Sequence, residues 1–96
     1  MIDYRYLLPA ELEMTEAALF YEEQLPGLGR DYLDDIQRSI DLIRTHPETG
    51  QVIRGKFRRG LVSRFPYSII YSIENDHILI LAVAHNRRKP FYWEER

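Results

Sequence analysis

The chain has 96 residues, of which 45% are hydrophobic and 29% charged, and its formal net charge at pH 7 is −2. This length predicts one domain over residues 1–96, and the composition is typical of a folded globular protein. The chain contains no cysteine, which excludes disulfides and thiolate metal sites and favours a reducing, cytoplasmic location. No apolar run approaches the ~20 residues of a membrane-spanning helix, and the N-terminus shows no signal-peptide pattern.

The charges are distributed unevenly along the chain. Residues 1–50 contain 11 acidic and 4 basic residues, a net charge of −7, whereas residues 51–96 contain 4 acidic and 9 basic residues, a net charge of +5. A cluster of cations without an intervening acid suits an anionic partner, either a nucleic acid or an acidic protein segment. Five basic residues form such a cluster: Arg54, Lys56, Arg58, Arg59 and Arg64.

The first half of the chain predicts a strand followed by a helical hairpin. Ile2–Leu7 alternates apolar and polar residues, as a strand does, but its place in the sheet stays open. Pro9 suits the first turn of a helix, and Leu25–Gly29 contains the proline and glycines that separate this helix from a second one. The second helix is expected to end before His46 and Pro47, and Glu48–Gln51 is expected to be a loop. The first helix has the apolar stripe Ala10, Met14, Ala17, Ala18, Tyr21 and Leu25, and the second has Tyr32, Ile36, Ile40 and Ile43.

The second half predicts a three-strand antiparallel meander made of Lys56–Arg64, Tyr67–Ile73 and His77–His85. Ile78–Ala84 is apolar on both faces, so this last strand should be covered on both faces and lie centrally in the sheet. Leu79, Leu81 and Val83 are therefore expected to be almost fully buried. The predicted fold class is α+β: a strand, a helical hairpin and a three-strand meander, with the helices packed on one face of a small sheet. The tail Pro90–Trp93 is expected to shield the opposite face or the sheet edge.

Three stretches of the sequence resemble the ParE/RelE superfamily of type II toxins. They are Tyr21–Gly29, then Arg64–Tyr71, then Ala82–Pro90 with Tyr92 and Trp93. The resemblance covers nearly the whole chain in the same order and spacing. It implies the fold predicted above and a cytoplasmic toxin of a plasmid stabilisation-type module. It also implies a protein partner, a cognate antitoxin that wraps around the toxin.

The superfamily contains two activities with different chemical requirements. RelE-like toxins cut mRNA on the ribosome without a metal, and this reaction needs a base, an acid and a cation at the phosphate. They usually carry an arginine before the aliphatic pair and tyrosine of the third strand, where this chain has Ser68 in Tyr67–Tyr71. ParE-like toxins instead poison DNA gyrase. The neutral third strand and the basic His85–Lys89 segment favour the ParE-like branch, with mRNA cleavage as the alternative and a non-toxic interaction domain on the same fold as a third interpretation.

The candidate site residues all lie in the second half of the chain. His85 is either a general base or a residue that caps the end of its strand, and Tyr92 is either a catalytic acid, a stacking platform or a packing residue. Arg87 and Arg88 either bind the target or pair with acidic residues of the same chain. No metal and no cofactor are expected, because His46, His77 and His85 are far apart in sequence. If the chain were a nuclease, its catalytic residues would be Arg64, His85, Arg87 and Tyr92; the residues expected to bind the target or the antitoxin are Lys56, Arg58, Arg59, Arg64, Arg87, Arg88 and Trp93.

Overall fold

The computed structural model describes all 96 residues and contains five strands and two helices. In chain order they are β1 (Asp3–Tyr6), α1 (Leu8–Gln24), α2 (Leu28–Thr45), β2 (Gln51–Arg54), β3 (Phe57–Leu61), β4 (Tyr67–Ile73) and β5 (His77–His85), with a 3₁₀ turn at Pro47–Thr49 between α2 and β2. Neither helix combines the length and apolarity that crossing a membrane requires. The predicted order of a strand, two helices and a meander is confirmed.

The strands form one mixed sheet in the order β1-β5-β4-β3-β2. The four strands from β2 to β5 are antiparallel neighbours, while β1 inserts parallel to β5, with Tyr4 opposite Ile78. This parallel pairing fixes the position of the first strand, which the sequence left open. The strand β5 is paired on both sides, as its apolar sequence predicts, but the middle strand of the sheet is β4.

The sheet has one strand more than the sequence predicts. The strand β2 starts at Gln51, where a loop was expected, and turns into β3 through Gly55, whose φ of +55° suits glycine. The following strand is correspondingly shorter than the predicted Lys56–Arg64. Because β2 is a four-residue edge strand with three exposed residues, it lacks the alternation of apolar and polar residues by which a half-buried strand is recognised.

Both helices pack on the same face of the sheet. The predicted stripe of α2 is confirmed, since Tyr32, Ile36, Ile40 and Ile43 are all buried in the larger apolar cluster. The stripe of α1 ends earlier than predicted: Leu25 is 58% exposed because the helix stops at Gln24 and Leu25 has an extended backbone. Between the helices, Gly27 has a φ of +93°, a conformation that favours glycine and lets the chain reverse within three residues.

The opposite face of the sheet has its own small apolar cluster. Its buried members are Ile70, Leu81, Ala82, Ala84 and Trp93. Because Trp93 belongs to the C-terminal segment, the expectation that the tail shields this face is confirmed. The sheet is therefore covered by helices on one side and partly by the chain's own end on the other.

A bulge in β5 decides which residues face each cluster. Ile70 pairs with Ala82 and the next residue, Tyr71, pairs with Ile80, so Leu81 is an extra residue in the ladder. As a result Leu81 and Ala82 both face the smaller cluster. The expectation of near-complete burial is confirmed for Leu81, at 3% exposure, and for Val83, at 1%. It is wrong for Leu79, which is only partly buried at the margin of the smaller cluster.

Candidate functional site

An open cleft lies on the sheet face opposite the helices, between the strands and the C-terminal tail. Its volume is about 310 Å³, and 14 residues line it, none of them Asp or Glu. We call it the basic cleft. Its cationic and polar lining residues are Arg59, Ser68, His85, Asn86, Arg88 and Lys89, and the tail contributes Pro90, Phe91, Tyr92 and Trp93.

Strand register explains why one of two adjacent arginines reaches this cleft. Arg59 pairs with Ile70, a member of the cluster on the open face, and its Nη2 donates to Gln51 Oε1 at 3.1 Å. Arg58 pairs with Tyr71 on the helix side, because successive strand residues point to opposite faces. The guanidinium of Arg58 donates to the carbonyl oxygens of Glu48 and Gly50, each at 2.9 Å. Arg58 therefore anchors the loop before β2, and Arg59 is the cation of this pair that the cleft presents.

His85 ends β5 and takes part in the local hydrogen bonding. Its Nδ1 accepts the backbone N–H of Arg87 at 3.0 Å, and its ring meets that of Tyr67 edge-on with centroids 5.1 Å apart. An Nδ1 that accepts a hydrogen bond leaves the proton of the neutral ring on Nε2. In this structure the Nδ1 lone pair of His85 is thus engaged in a hydrogen bond that caps the end of β5.

Tyr92 is tied to the first helix. Its hydroxyl donates to a carboxylate oxygen of Glu13, and the guanidinium of Arg88 lies over its ring, 3.8 Å from the centroid. Burial, together with the hydrogen bond to Glu13 and the charge of Glu13, raises the pKa of Tyr92 well above its usual range. A phenol held in this way is a poor proton donor. Arg88 is also 3.8 Å from Glu13, so it pairs with an acidic helix, one of the two alternatives that the sequence allowed.

The C-terminal tail is part of the fold. Trp93 is 3% exposed and packs edge-on to Phe57, with ring centroids 5.3 Å apart. The indole of Trp93, a residue expected to bind the target or the antitoxin, is thus buried in the chain's own core in this conformation. Phe91 has a φ of +62°, a strained conformation for an aromatic residue, and the guanidinium of Arg54 lies 3.6 Å from its ring centroid.

Four of the predicted residues lie outside the basic cleft: Lys56, Arg58, Arg64 and Arg87. Lys56 is in the β2–β3 turn and pairs with Glu74 at 3.1 Å. Arg64 and Arg87 have exposed side chains, and neither lines the cleft. The four residues proposed for a nuclease thus do not converge, since only His85 and Tyr92 line the cleft.

Two carboxylates that the sequence analysis did not single out are important in the structure. Asp35 is 0% exposed and accepts the backbone N–H of Arg64 at 2.8 Å, which fixes the β3–β4 connection to α2. Asp35 lies three residues after buried Tyr32 and therefore beside the apolar stripe of α2. This position was a signal in the sequence that its carboxylate is buried. Glu13, in contrast, lies among other glutamates of α1, and its partners are 70 or more residues away in sequence.

Comparison with known proteins agrees with this architecture. Over residues 4–90 the sequence matches the family described as "ParE toxin of type II toxin-antitoxin system, parDE". A solved structure entitled "Chromosomal ParDE TA system from P. aeruginosa" contains a similar chain, with a TM-score of 0.77 and 16% identity over 88% of this chain and 96% of that chain. At this identity the likeness establishes the fold, two helices on a five-strand mixed sheet. No curated protein sequence matches at a significant level. The family match extends over most of the 96 residues, and the chain therefore belongs to the ParE toxin family of type II toxin–antitoxin systems.

Proposed function

We propose that this protein is the toxin of a plasmid stabilisation-type toxin–antitoxin module, that it acts in the cytoplasm, and that its target is DNA gyrase. Its family membership over residues 4–90 supports the role of a toxin with an antitoxin partner. The choice of gyrase over mRNA rests on one observation: the candidate base His85 and the candidate acid Tyr92 are both engaged in structural hydrogen bonds.

Metal-free cleavage of RNA needs a base for the 2′-hydroxyl, an acid for the leaving oxygen and a cation at the phosphate. The lone pair of His85 Nδ1 is occupied by the Arg87 N–H, and the hydroxyl proton of Tyr92 is directed to Glu13. Ser68, at the position where RelE-like toxins usually have arginine, is buried and donates to Asn86 Oδ1 at 2.7 Å. This arrangement supports a toxin that acts by binding and not by cleaving RNA.

The loop that follows β5 supplies the surface for such binding. Arg87 and Lys89 are exposed and form no ion pair within the chain. They lie on either side of Arg88, and Lys89 directly precedes Pro90 and the half-buried Phe91. Arginine is one of the residues enriched at the energetically dominant points of protein interfaces, and aromatic residues are enriched in interfaces generally. We call Asn86–Pro90 the basic loop and assign gyrase binding to it.

An assay with purified components tests the proposal. The protein is expected to inhibit supercoiling by gyrase, and the double variant Arg87→Glu/Lys89→Glu is expected to lose this inhibition. The matched control is Arg5→Glu/Arg30→Glu, which changes the net charge equally on exposed residues of β1 and α2. Deleting the tail would be a poor test, because it would remove buried Trp93 from the core.

The same preparation is then added to ribosomes that are translating a defined mRNA. No cleavage of the mRNA is expected. Codon-dependent cuts in this assay, or equal loss of gyrase inhibition in the control variant, would contradict the assignment. In cells, induction of the wild type is expected to arrest growth together with a DNA damage response.

A cognate antitoxin is proposed to neutralise the toxin by docking over the sheet or across the helical hairpin. The strand β2 is a free edge with exposed residues, and an edge of this kind accepts an added strand. Acidic residues of the antitoxin would meet the exposed cations Arg59 and Arg64, whereas Arg58 is committed to two carbonyl groups of its own chain.

A further inference from the structure

Glu13 differs from the other glutamates of α1 because its carboxylate points into the molecule. Its side chain is 16% exposed, while those of its neighbours Glu11 and Glu16 belong to exposed residues. Its carboxylate accepts hydrogen bonds from the Val83 N–H at 3.1 Å, from the Tyr92 hydroxyl, and from Arg96 Nη1 and Nη2 at 2.8 and 3.0 Å, and Arg88 Nη1 lies 3.8 Å away.

The sheet explains why a carboxylate is needed at this point. The strand β1 ends at Tyr6, whereas β5 continues to His85, so the last part of β5 has no neighbouring strand on that side. Backbone groups that leave water require partners. Glu13 accepts the Val83 N–H, and Arg96 Nη1 donates to the Leu81 carbonyl at 2.9 Å. The ion pair of Glu13 and Arg96 thus replaces a strand along this stretch of β5.

This ion pair also holds the C-terminal segment, residues 91–96, against the sheet. Trp93 supplies the apolar part of the attachment, and Tyr92 and Arg96 supply the polar part through Glu13. The basic loop lies between β5 and this docked segment, so both of its ends are fixed. Fixed ends limit the conformations of a five-residue loop and reduce the entropy that it loses on binding a partner.

We propose that Glu13 is the positioning residue of the toxin's target-binding surface. By holding Tyr92 and Arg96 it keeps residues 91–96 docked, and the docked segment presents Arg87 and Lys89 in one arrangement. This inference rests on the proposed function in taking the basic loop as the surface that binds the target. Glu13 acts through the tail, by its bonds to Tyr92 and Arg96, and through its ion pair with Arg88 of the basic loop.

The test uses the sole tryptophan of the chain as a reporter of tail docking. Glu13→Gln keeps the size of the side chain and removes its charge, which weakens its bonds to Arg96. Losing a hydrogen bond between charged groups lowers an equilibrium constant by about ten- to a hundredfold. We expect the fluorescence of Trp93 to move to longer wavelength with stronger quenching by acrylamide, and both gyrase inhibition and growth arrest to fall by at least about tenfold.

Two further variants complete the design. Glu16→Gln is the matched control: it removes the same charge from an exposed position of the same helix and should change neither the fluorescence nor the toxicity. Arg96→Gln breaks the ion pair from the last residue of the chain without altering α1, and it should reproduce the effect of Glu13→Gln. It also keeps the test decisive if Glu13→Gln does not fold, which circular dichroism would show.

Each outcome bears on a different statement. Unchanged Trp93 quenching in both Glu13→Gln and Arg96→Gln would overturn the role of Glu13 in holding the tail. Increased quenching with full toxicity would overturn its role in positioning the basic loop. If the wild type arrests growth without inhibiting gyrase, gyrase is not the target. The growth assay then still measures whether Glu13→Gln and Arg96→Gln reduce toxicity. A wild type that arrests no growth would overturn both the proposed function and the positioning role, and the fluorescence would still report on the tail.

Discussion

Asp35 shows how much of this fold depends on single polar residues. Its carboxylate is fully buried and accepts the Arg64 N–H at 2.8 Å and the Ser63 hydroxyl at 3.3 Å, with Arg38 Nη2 at 3.4 Å. Replacing Asp35 by Ala would leave the Arg64 N–H without its partner at the start of the β3–β4 connection. We expect the free energy of unfolding to fall by about 2–3 kcal/mol, measured by urea denaturation.

The neighbouring residue provides the control for this prediction. Asp34 contacts only Arg30, at 3.5 Å, and both side chains are largely exposed. Asp34→Ala is therefore expected to change the free energy of unfolding by less than about 0.5 kcal/mol. Equal effects of the two substitutions would mean that the buried carboxylate does not stabilise the connection.

Single residues also mark the limit of what the sequence predicts. The apolar positions of α2 follow from periodicity alone, because burial of Tyr32, Ile36 and Ile40 needs only one helix and one sheet face. The role of Glu13 depends on where β1 stops relative to β5 and on where residues 91–96 dock. These are distances between elements far apart in sequence, and no local pattern encodes them.

At the level of whole elements, two leucines of the sheet differ widely in burial. Leu81 faces the smaller cluster beneath Trp93, at 3% exposure, whereas Leu61 on β3 is 68% exposed. Leu81→Ala is expected to lower the free energy of unfolding by about 2–5 kcal/mol, because the side chain is removed from a filled cluster. Leu61→Ala is the control and should cost well under about 1 kcal/mol. A cost below about 1 kcal/mol for Leu81→Ala would show that this cluster does not stabilise the sheet.

The elements also show which parts of the fold were predictable. The helices and the strands β4 and β5 have strong periodicity or long apolar runs, and all four were predicted. The edge strand β2 was missed, since three of its four residues are exposed and its pairing with β3 is stabilised by backbone hydrogen bonds. The bulge was also missed, and it is the reason that Ala82 joins Leu81 in the smaller cluster while Val83 faces the helices.

Across the whole molecule, buried tyrosines make stability sensitive to alkaline pH. Burial, and secondarily the nearby Tyr21, raises the pKa of Tyr67 to about 12, and burial likewise raises the pKa values of Tyr6, Tyr32, Tyr71 and Tyr92. The unfolded chain loses these protons near pH ~10, whereas the folded chain retains them, so the unfolded state binds fewer protons. The free energy of unfolding therefore keeps its full value below pH ~10 and falls as the pH rises toward the pKa values of the folded state.

Denaturant melts between pH ~9 and ~11 measure this loss. Each tyrosine with a raised pKa lowers the free energy of unfolding by up to about 1.4 kcal/mol for each pH unit above pH ~10. Tyr67→Phe is expected to remove one such contribution and to flatten the dependence. Identical pH dependence in the wild type and in Tyr67→Phe would mean that Tyr67 ionises equally in both states.

The separation of charge between the two halves of the molecule predicts how an antitoxin recognises it. Arg59 and Arg64 are exposed cations of the basic half, so reversing either, as Arg59→Glu or Arg64→Glu, should weaken the antitoxin complex by about two- to fivefold at low salt. The affinity of each variant should also depend less on salt than that of the wild type, because exposed charges are screened over a Debye length of about 10 Å at 0.1 M. Arg30→Glu is the control on the acidic half. Titration calorimetry at two salt concentrations measures both effects, and equal affinity of all three variants and the wild type would remove electrostatic attraction from the account of antitoxin binding.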